Sequence, residues 1–158
     1  MIILLGKYYP RSLTKTEIMT KNLTPPTWIK VTVILLLIWN FIGVLSFLMD
    51  QTIDPSTLDP IQKEFRTQFP LWTKIVYALA VGFGTIGTVA LLRRKKWSKN
   101  FLIASLLCVI IQMYHSFFVA GGIETFGSTA AILPGIVIFL ALFSVWIADL
   151  HKLKGWFI

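Results

Sequence analysis

Four apolar runs, residues 28–49, 71–92, 101–120 and 129–148, alternate with short polar stretches along this chain. Each holds about 20 residues, which at about 1.5 Å of helical rise per residue reaches across a hydrocarbon core of about 30 Å. No side chain charged at neutral pH lies between Val31 and Met49, between Ile75 and Leu92, or between Phe101 and Tyr114. A backbone crossing lipid must satisfy its own hydrogen bonds, and uniformly apolar runs of this length do so as helices. The expected fold is therefore all-α: a four-transmembrane-helix bundle forming one domain over residues 28–158, behind a tail at 1–27. With 56% hydrophobic residues and a mean hydropathy of +0.74, the 158-residue chain is too apolar for a water-soluble domain and leaves no length for a separate one.

The basic residues predict how that bundle sits. Lys7, Arg11, Lys15, Lys21 and Lys30 precede or open the first run. Arg93, Arg94, Lys95, Lys96 and Lys99 fill the second loop, and Lys152 and Lys154 follow the fourth run. Only Lys63, Arg66 and Lys74 lie elsewhere, near Asp50, Asp54, Asp59 and Glu64. Positive loops stay on the cytoplasmic side, so both termini are expected inside and the first and third loops outside. The net charge of +8 raises the question of nucleic acid. A tight turn between two spans cannot wrap a duplex, so no nucleic-acid partner is expected. Arg93, Arg94, Lys95, Lys96 and Trp97 read instead as an anchor for anionic headgroups of the lipid bilayer, with favourable charge at a helix C-terminus. Ser98 or Asn100 is positioned to cap the third span. Trp28, Trp72, Trp97 and Trp146 mark span ends, and Trp156 with Phe157 is expected against the inner surface, while Trp39 falls near the centre of the first span.

Met1–Leu5 is too short for a signal-peptide core, and its charges follow rather than precede it. It reads as part of a cytoplasmic tail, with Met19 as an alternative start. In the first outer loop, Asp59-Pro60-Ile61-Gln62 has the form of a helix start, with an acceptor at the cap and Pro in the first turn. Ile61, Phe65 and Phe69 recur every four residues, which predicts a short amphipathic helix lying on the bundle or on the headgroups. A gate over an opening is the sharper alternative.

Gly82-Phe83-Gly84-Thr85-Ile86-Gly87 matches the glycine spacing of a dinucleotide-binding turn. That chemistry needs a strand before the glycines and free helix N-terminal amides after them. Inside a span those amides are already bonded. Ala80, Gly84 and Thr88, with Gly87 beside them, are better read as a ridge of small residues for close helix packing.

Polar side chains at membrane depth are the remaining candidates for a site. Asn40, Tyr77, Gln112 and His115 form the candidate ligand cluster, with Ser105 and Cys108 on the same stretch of the third span. Ser105, Cys108, Gln112 and His115 are three or four residues apart and are expected to share a face. Two roles are open: interhelical hydrogen bonding that holds the bundle together, or a site for a small ligand or a proton-sensitive group. No carboxylate lies deep in a span, which disfavours a proton-driven pump. Nothing assembles a nucleophile with a base or a metal-ligand set, so neither enzymatic activity nor a cofactor is expected. Cys108 is the one cysteine, so no intrachain disulfide can form.

The runs Leu37-Ile38-Trp39-Asn40-Phe41-Ile42-Gly43-Val44, Leu91-Leu92-Arg93-Arg94-Lys95-Lys96-Trp97, Gln112-Met113-Tyr114 and Lys154-Gly155-Trp156 resemble a family of small bacterial four-span proteins, many of them labelled "sugar transporter". The likeness covers about Thr24 to Ile158, with members beginning near the Pro-Thr-Trp stretch. It implies a bacterial inner-membrane location and a start at Met19, and less strongly sugar transport. Two classes of function follow. One is a small-solute, sugar-like transporter acting as a homo-oligomer, since four helices enclose little volume. The other is a non-catalytic membrane interaction or accessory subunit.

Overall fold

The computed structural model describes residues 24–158; the expected tail and the Met19 start lie mostly or wholly outside them. The chain enters from Pro25-Pro26, whose extended backbone cannot continue a helix backward, into α1 (Thr27–Thr52). Ile53 returns to extended geometry, and a 3-10 turn at Pro55–Thr57 leads to α2 (Pro60–Thr67). Asp59 caps α2 as its spacing implies, with Oδ1 accepting from the Gln62 amide at 2.9 Å. α3 (Leu71–Leu92) starts directly after Pro70. α4 (Ser98–Tyr114) runs on into a wider π turn at His115–Val119. Gly121 and Gly127, with φ of +66° and +78°, bracket the five-residue α5 (Gly122–Phe126). A 3-10 turn at Ser128–Ala131 then opens α6 (Ile132–Leu153). Among the described residues there is no strand.

α1, α3, α4 with its π turn, and α6 with the turn before it are long and apolar enough to cross a membrane. Their outward faces carry large side chains in the open, such as Leu35, Phe139 and Leu142, each at least half exposed. A water-soluble protein does not present apolar surface on that scale. The chain is a multi-pass membrane protein, and the observed spans differ from the expected ones mainly by extra residues at the basic ends of α4 and α6 and at the opposite end of α1.

The bundle is a wedge. α3 packs along both α1 and α4, and α4 packs on α6, but α1 and α6 barely meet. What closes the ring lies at the end carrying the basic loop: Ile29, Val33, Leu91, Leu102, Ile147, Ala148 and Trp156 form one buried cluster. Every buried residue of α1 (Ile29, Val33 and Leu36) belongs to that half of the helix. The same end holds a return of the chain. Gly155 (φ +65°) turns the backbone after α6, and Trp156 is buried, not laid on a surface as its position in the sequence suggests. Its carbonyl accepts from Arg94 Nε at 2.6 Å, and the Ile158 amide donates to the Arg94 carbonyl at 2.8 Å. Arg94 is held at φ +60°, the one non-glycine residue with positive φ among those described. Arg93, Lys95 and Lys96 remain exposed around it, and Lys99 pairs with Asp149 of α6.

Two other expectations are corrected at this end and the opposite one. Neither Ser98 nor Asn100 caps α4; the N-cap position is Trp97, with no side-chain bond, and Ser98 Oγ is buried with no hydrogen-bond partner. At the opposite end α2 does lie on the bundle, but through Phe65, with Phe69 just beyond its C-terminus packed beside it, while Ile61 stays exposed. Phe65 stacks edge-on with Phe69 and with Phe126 of α5, and Arg66 pairs with Asp50 at the end of α1.

Candidate functional site

The small residues of α3 decide what its neighbours can do. Ala80, Gly84, Gly87 and Thr88 are all buried. A Cβ on Gly84 would lie 2.2 Å from Asn40 Oδ1 and 3.0 Å from Ser105 Oγ, so α1 and α4 both approach over the bare backbone. A Cβ on Gly87 would meet Leu102 at 2.9 Å. These contacts carry hydrogen bonds. Asn40 Nδ2 donates to the Leu36 carbonyl at 2.8 Å and to Thr88 Oγ1 at 3.3 Å. Thr88 donates to the Gly84 carbonyl at 2.7 Å, and Ser105 donates across to the Ala80 carbonyl at 2.7 Å. Ser105 and Asn40 thus tie α4 and α1 to α3 through groups that would otherwise be unpaired in hydrocarbon.

Above this junction the wedge opens into a cavity of about 480 Å³, with walls from all four spanning helices. That volume is within the range of small-molecule sites, about 300–1,000 Å³. Asn40, Tyr77 and Gln112 line it. Tyr77 is half-buried with its ring edge-on to Phe47, the centroids 5.2 Å apart. Gln112 is the unusual member, because its Oε1 is buried and accepts no hydrogen bond. Most buried polar atoms in proteins are partnered, so this oxygen is an exception, but it has essentially no accessible surface and is closed off from the cavity space. Trp39, singled out only as an oddly central tryptophan, also lines the cavity, as does Ser144 of α6, whose hydroxyl donates to the Leu140 carbonyl at 2.8 Å. Ser144 carries no signal in the sequence, since a lone serine in an apolar helix usually bonds back to its own turn.

His115 stands apart. It is buried at 5% exposure but is not on the cavity wall. Its ring lies between Phe69 and Trp72, at centroid distances of 5.3 and 5.0 Å, within the aromatic cap that seats α2. Its Nδ1 has no hydrogen-bond partner. It opens the π turn, where Ala120 N reaches back to the His115 carbonyl at 2.9 Å. Cys108 likewise does not line the cavity. The structure therefore brings Asn40, Tyr77, Ser105 and Gln112 together and leaves His115 and Cys108 outside.

Arg93, Arg94, Lys95, Lys96 and Trp97 sit at the far end of the bundle from the cavity mouth, and Arg94 is engaged by the Trp156 carbonyl. Among the described residues no group of three His, Cys, Asp or Glu side chains is placed to hold a metal ion. Comparison with protein-family models, with curated proteins and with solved structures finds no match, so the likeness to small four-span proteins rests on the sequence runs quoted above.

Proposed function

We propose that this protein is a small-solute carrier of the bacterial inner membrane, with its solute site in the cavity between the four spanning helices. The observation that supports this is the cavity itself: about 480 Å³, contacted by every spanning helix, with Asn40, Tyr77 and Gln112 among its lining residues. A bundle evolved only for stability would close such a space, since interiors are packed nearly as densely as organic crystals. The positive-inside pattern sets the basic end in the cytoplasm, so the cavity half of the wedge belongs to the outer leaflet and both termini are cytoplasmic. No enzymatic step and no cofactor enters this reading, and the exposed Arg93, Lys95, Lys96 and Trp97 hold the inner end against anionic headgroups. A homo-oligomer would complete the solute path beyond the volume four helices enclose.

The second reading, an accessory subunit without cargo, draws on the Asn40–Thr88 and Ser105–Ala80 hydrogen bonds, which are sufficient to hold three helices together. Thermal unfolding of the purified protein against a panel of sugars, polyols, amino acids and small amphiphiles separates the two. A ligand that binds only the folded state raises the midpoint in proportion to its excess over Kd, and Ala141→Phe, which fills the cavity, should remove that rise. A panel with no active member would favour the accessory subunit.

A further inference from the structure

We infer that the solute is a neutral, lipid-soluble carbonyl compound, a ketone or ester that enters sideways between α1 and α6 and accepts a hydrogen bond from Trp39 Nε1–H. This rests on the cavity being the solute site. The first support is the balance of free polar groups on the wall. Asn40, Ser46, Ser105 and Ser144 have their donors committed within the bundle. Trp39 Nε1, Tyr77 Oη and the Gln112 amide nitrogen have no hydrogen-bond partner among the described residues and, unlike Gln112 Oε1, are not enclosed. The side-chain carbonyls offer less, since Gln112 Oε1 is closed off and Asn40 Oδ1 presses on the Gly84 backbone. Donors are in excess, and the indole can only donate. The complement is a ligand that brings acceptors and no hydrogens of its own, whereas a polyol needs an acceptor for every hydroxyl it strips of water. Among the described residues no Lys, Arg, His, Asp or Glu lines the cavity. The acceptor is therefore a neutral carbonyl, because a carboxylate would be buried unpaired.

The second support is depth. Trp39 lines the cavity midway along α1 (Thr27–Thr52), with about 20 Å of helix on either side of it. An indole N–H at that level is out of reach of headgroups and bulk water, and acyl chains have nothing to accept it. A carbonyl carried to it supplies the partner that a buried indole usually finds within the protein. The third support is where the mouth lies. Ile42 and Leu133 line the cavity and yet are 50% and 63% exposed. They lie on α1 and α6, which barely touch. Both belong to membrane-crossing stretches, so the gap they flank faces acyl chains and admits a molecule already dissolved in them.

The indole proton of Trp39 reports the contact directly, because its magnetic resonance moves downfield when the N–H donates. The full chain in lipid nanodiscs, with isotopically labelled nitrogen in its six tryptophans, would be titrated with a medium-chain methyl ketone and with the alkane of equal length. The resonance missing from Trp39→Phe belongs to Trp39. The expected result is a saturable downfield shift of that resonance with the ketone, none with the alkane, and loss of the shift in Ala141→Phe, which fills the cavity. Should melting curves show Ala141→Phe to be unfolded, Val137→Phe fills the same space. A shift that grows linearly with ketone and survives the filled cavity would put the contact in bulk lipid and overturn the proposal, as would equal shifts from ketone and alkane. No shift at Trp39 together with stabilisation by water-soluble polyols would overturn the carbonyl ligand and leave the carrier reading intact. If neither the ketone nor any member of the panel of sugars, polyols, amino acids and amphiphiles binds, both fail.

Discussion

Gly84 is where three helices meet, and its hydrogen atom is the only side chain that fits. Gly84→Ala puts a methyl group 2.2 Å from Asn40 Oδ1, so α1 must move or Asn40 must give up its bonds to Leu36 and Thr88. The expected loss is about 1–3 kcal/mol, the usual cost of overpacking. Gly82→Ala is the matched control. Its Cβ would meet nothing within 4 Å, and better helix propensity should hold or raise stability, by up to about 1 kcal/mol. Unfolding in mixed micelles distinguishes the two. His115 gives a second contrast. Its ring packs well but its Nδ1 is unpaired, so His115→Phe should keep the aromatic cap and remove a buried polar atom. Stability is expected to be equal or higher, and ligand-induced stabilisation unchanged, because His115 is off the cavity wall. A loss of ligand response in that variant would tie the aromatic cap to the site.

Among the elements, α2 is the least secured. Half-buried Phe65, Phe69 just past its end and the Arg66–Asp50 pair hold it, and the rest of it is exposed. Phe65→Ala should speed amide exchange over Pro60–Thr67 by about tenfold while the melting midpoint hardly changes, because this segment opens independently of the bundle. The long helices and the start of α2 were legible in the sequence, since apolar length and the Asp59 cap with Pro60 act locally. The shared face on α4 was only half legible. Seven residues separate Ser105 from Gln112, leaving them about 20° apart around a helix, whereas His115 lies ten residues on and about 80° round. Rows of residues three and four apart look like one face in a list but spread over a quadrant in space. Ser98 failed as a cap for a different reason: its hydroxyl is covered by the packing of the basic end, a tertiary effect that no local pattern carries.

For the molecule as a whole, the asymmetry of charge and the asymmetry of packing coincide: the basic end is sealed by the buried cluster, while toward the opposite end α1 and α6 diverge beneath the aromatic cap. A reporter fused after Ile158 or inserted at Lys95 should act only if it functions in the cytoplasm, and one inserted at Thr57 or Gly127 should act only if exported. Export of the fusion after Ile158 would invert the bundle and place the cavity in the inner leaflet. The cavity itself could not be foreseen, because it exists only where α1 and α6 diverge, and no residue on either helix announces that divergence.

The burial of Trp156 among Ile29, Val33, Leu91 and Leu102 imposes an order of assembly. Synthesis is vectorial, so α1, α3 and α4 reach the bilayer before the indole that completes their core has been made. Until α6 is inserted and the chain has doubled back onto Arg94, the seam at the basic end stands open to acyl chains, and its closure joins residues from opposite ends of the described chain. Such long-range closure is intrinsically slow. The seal at the basic end therefore marks a molecule whose four spans have all been threaded.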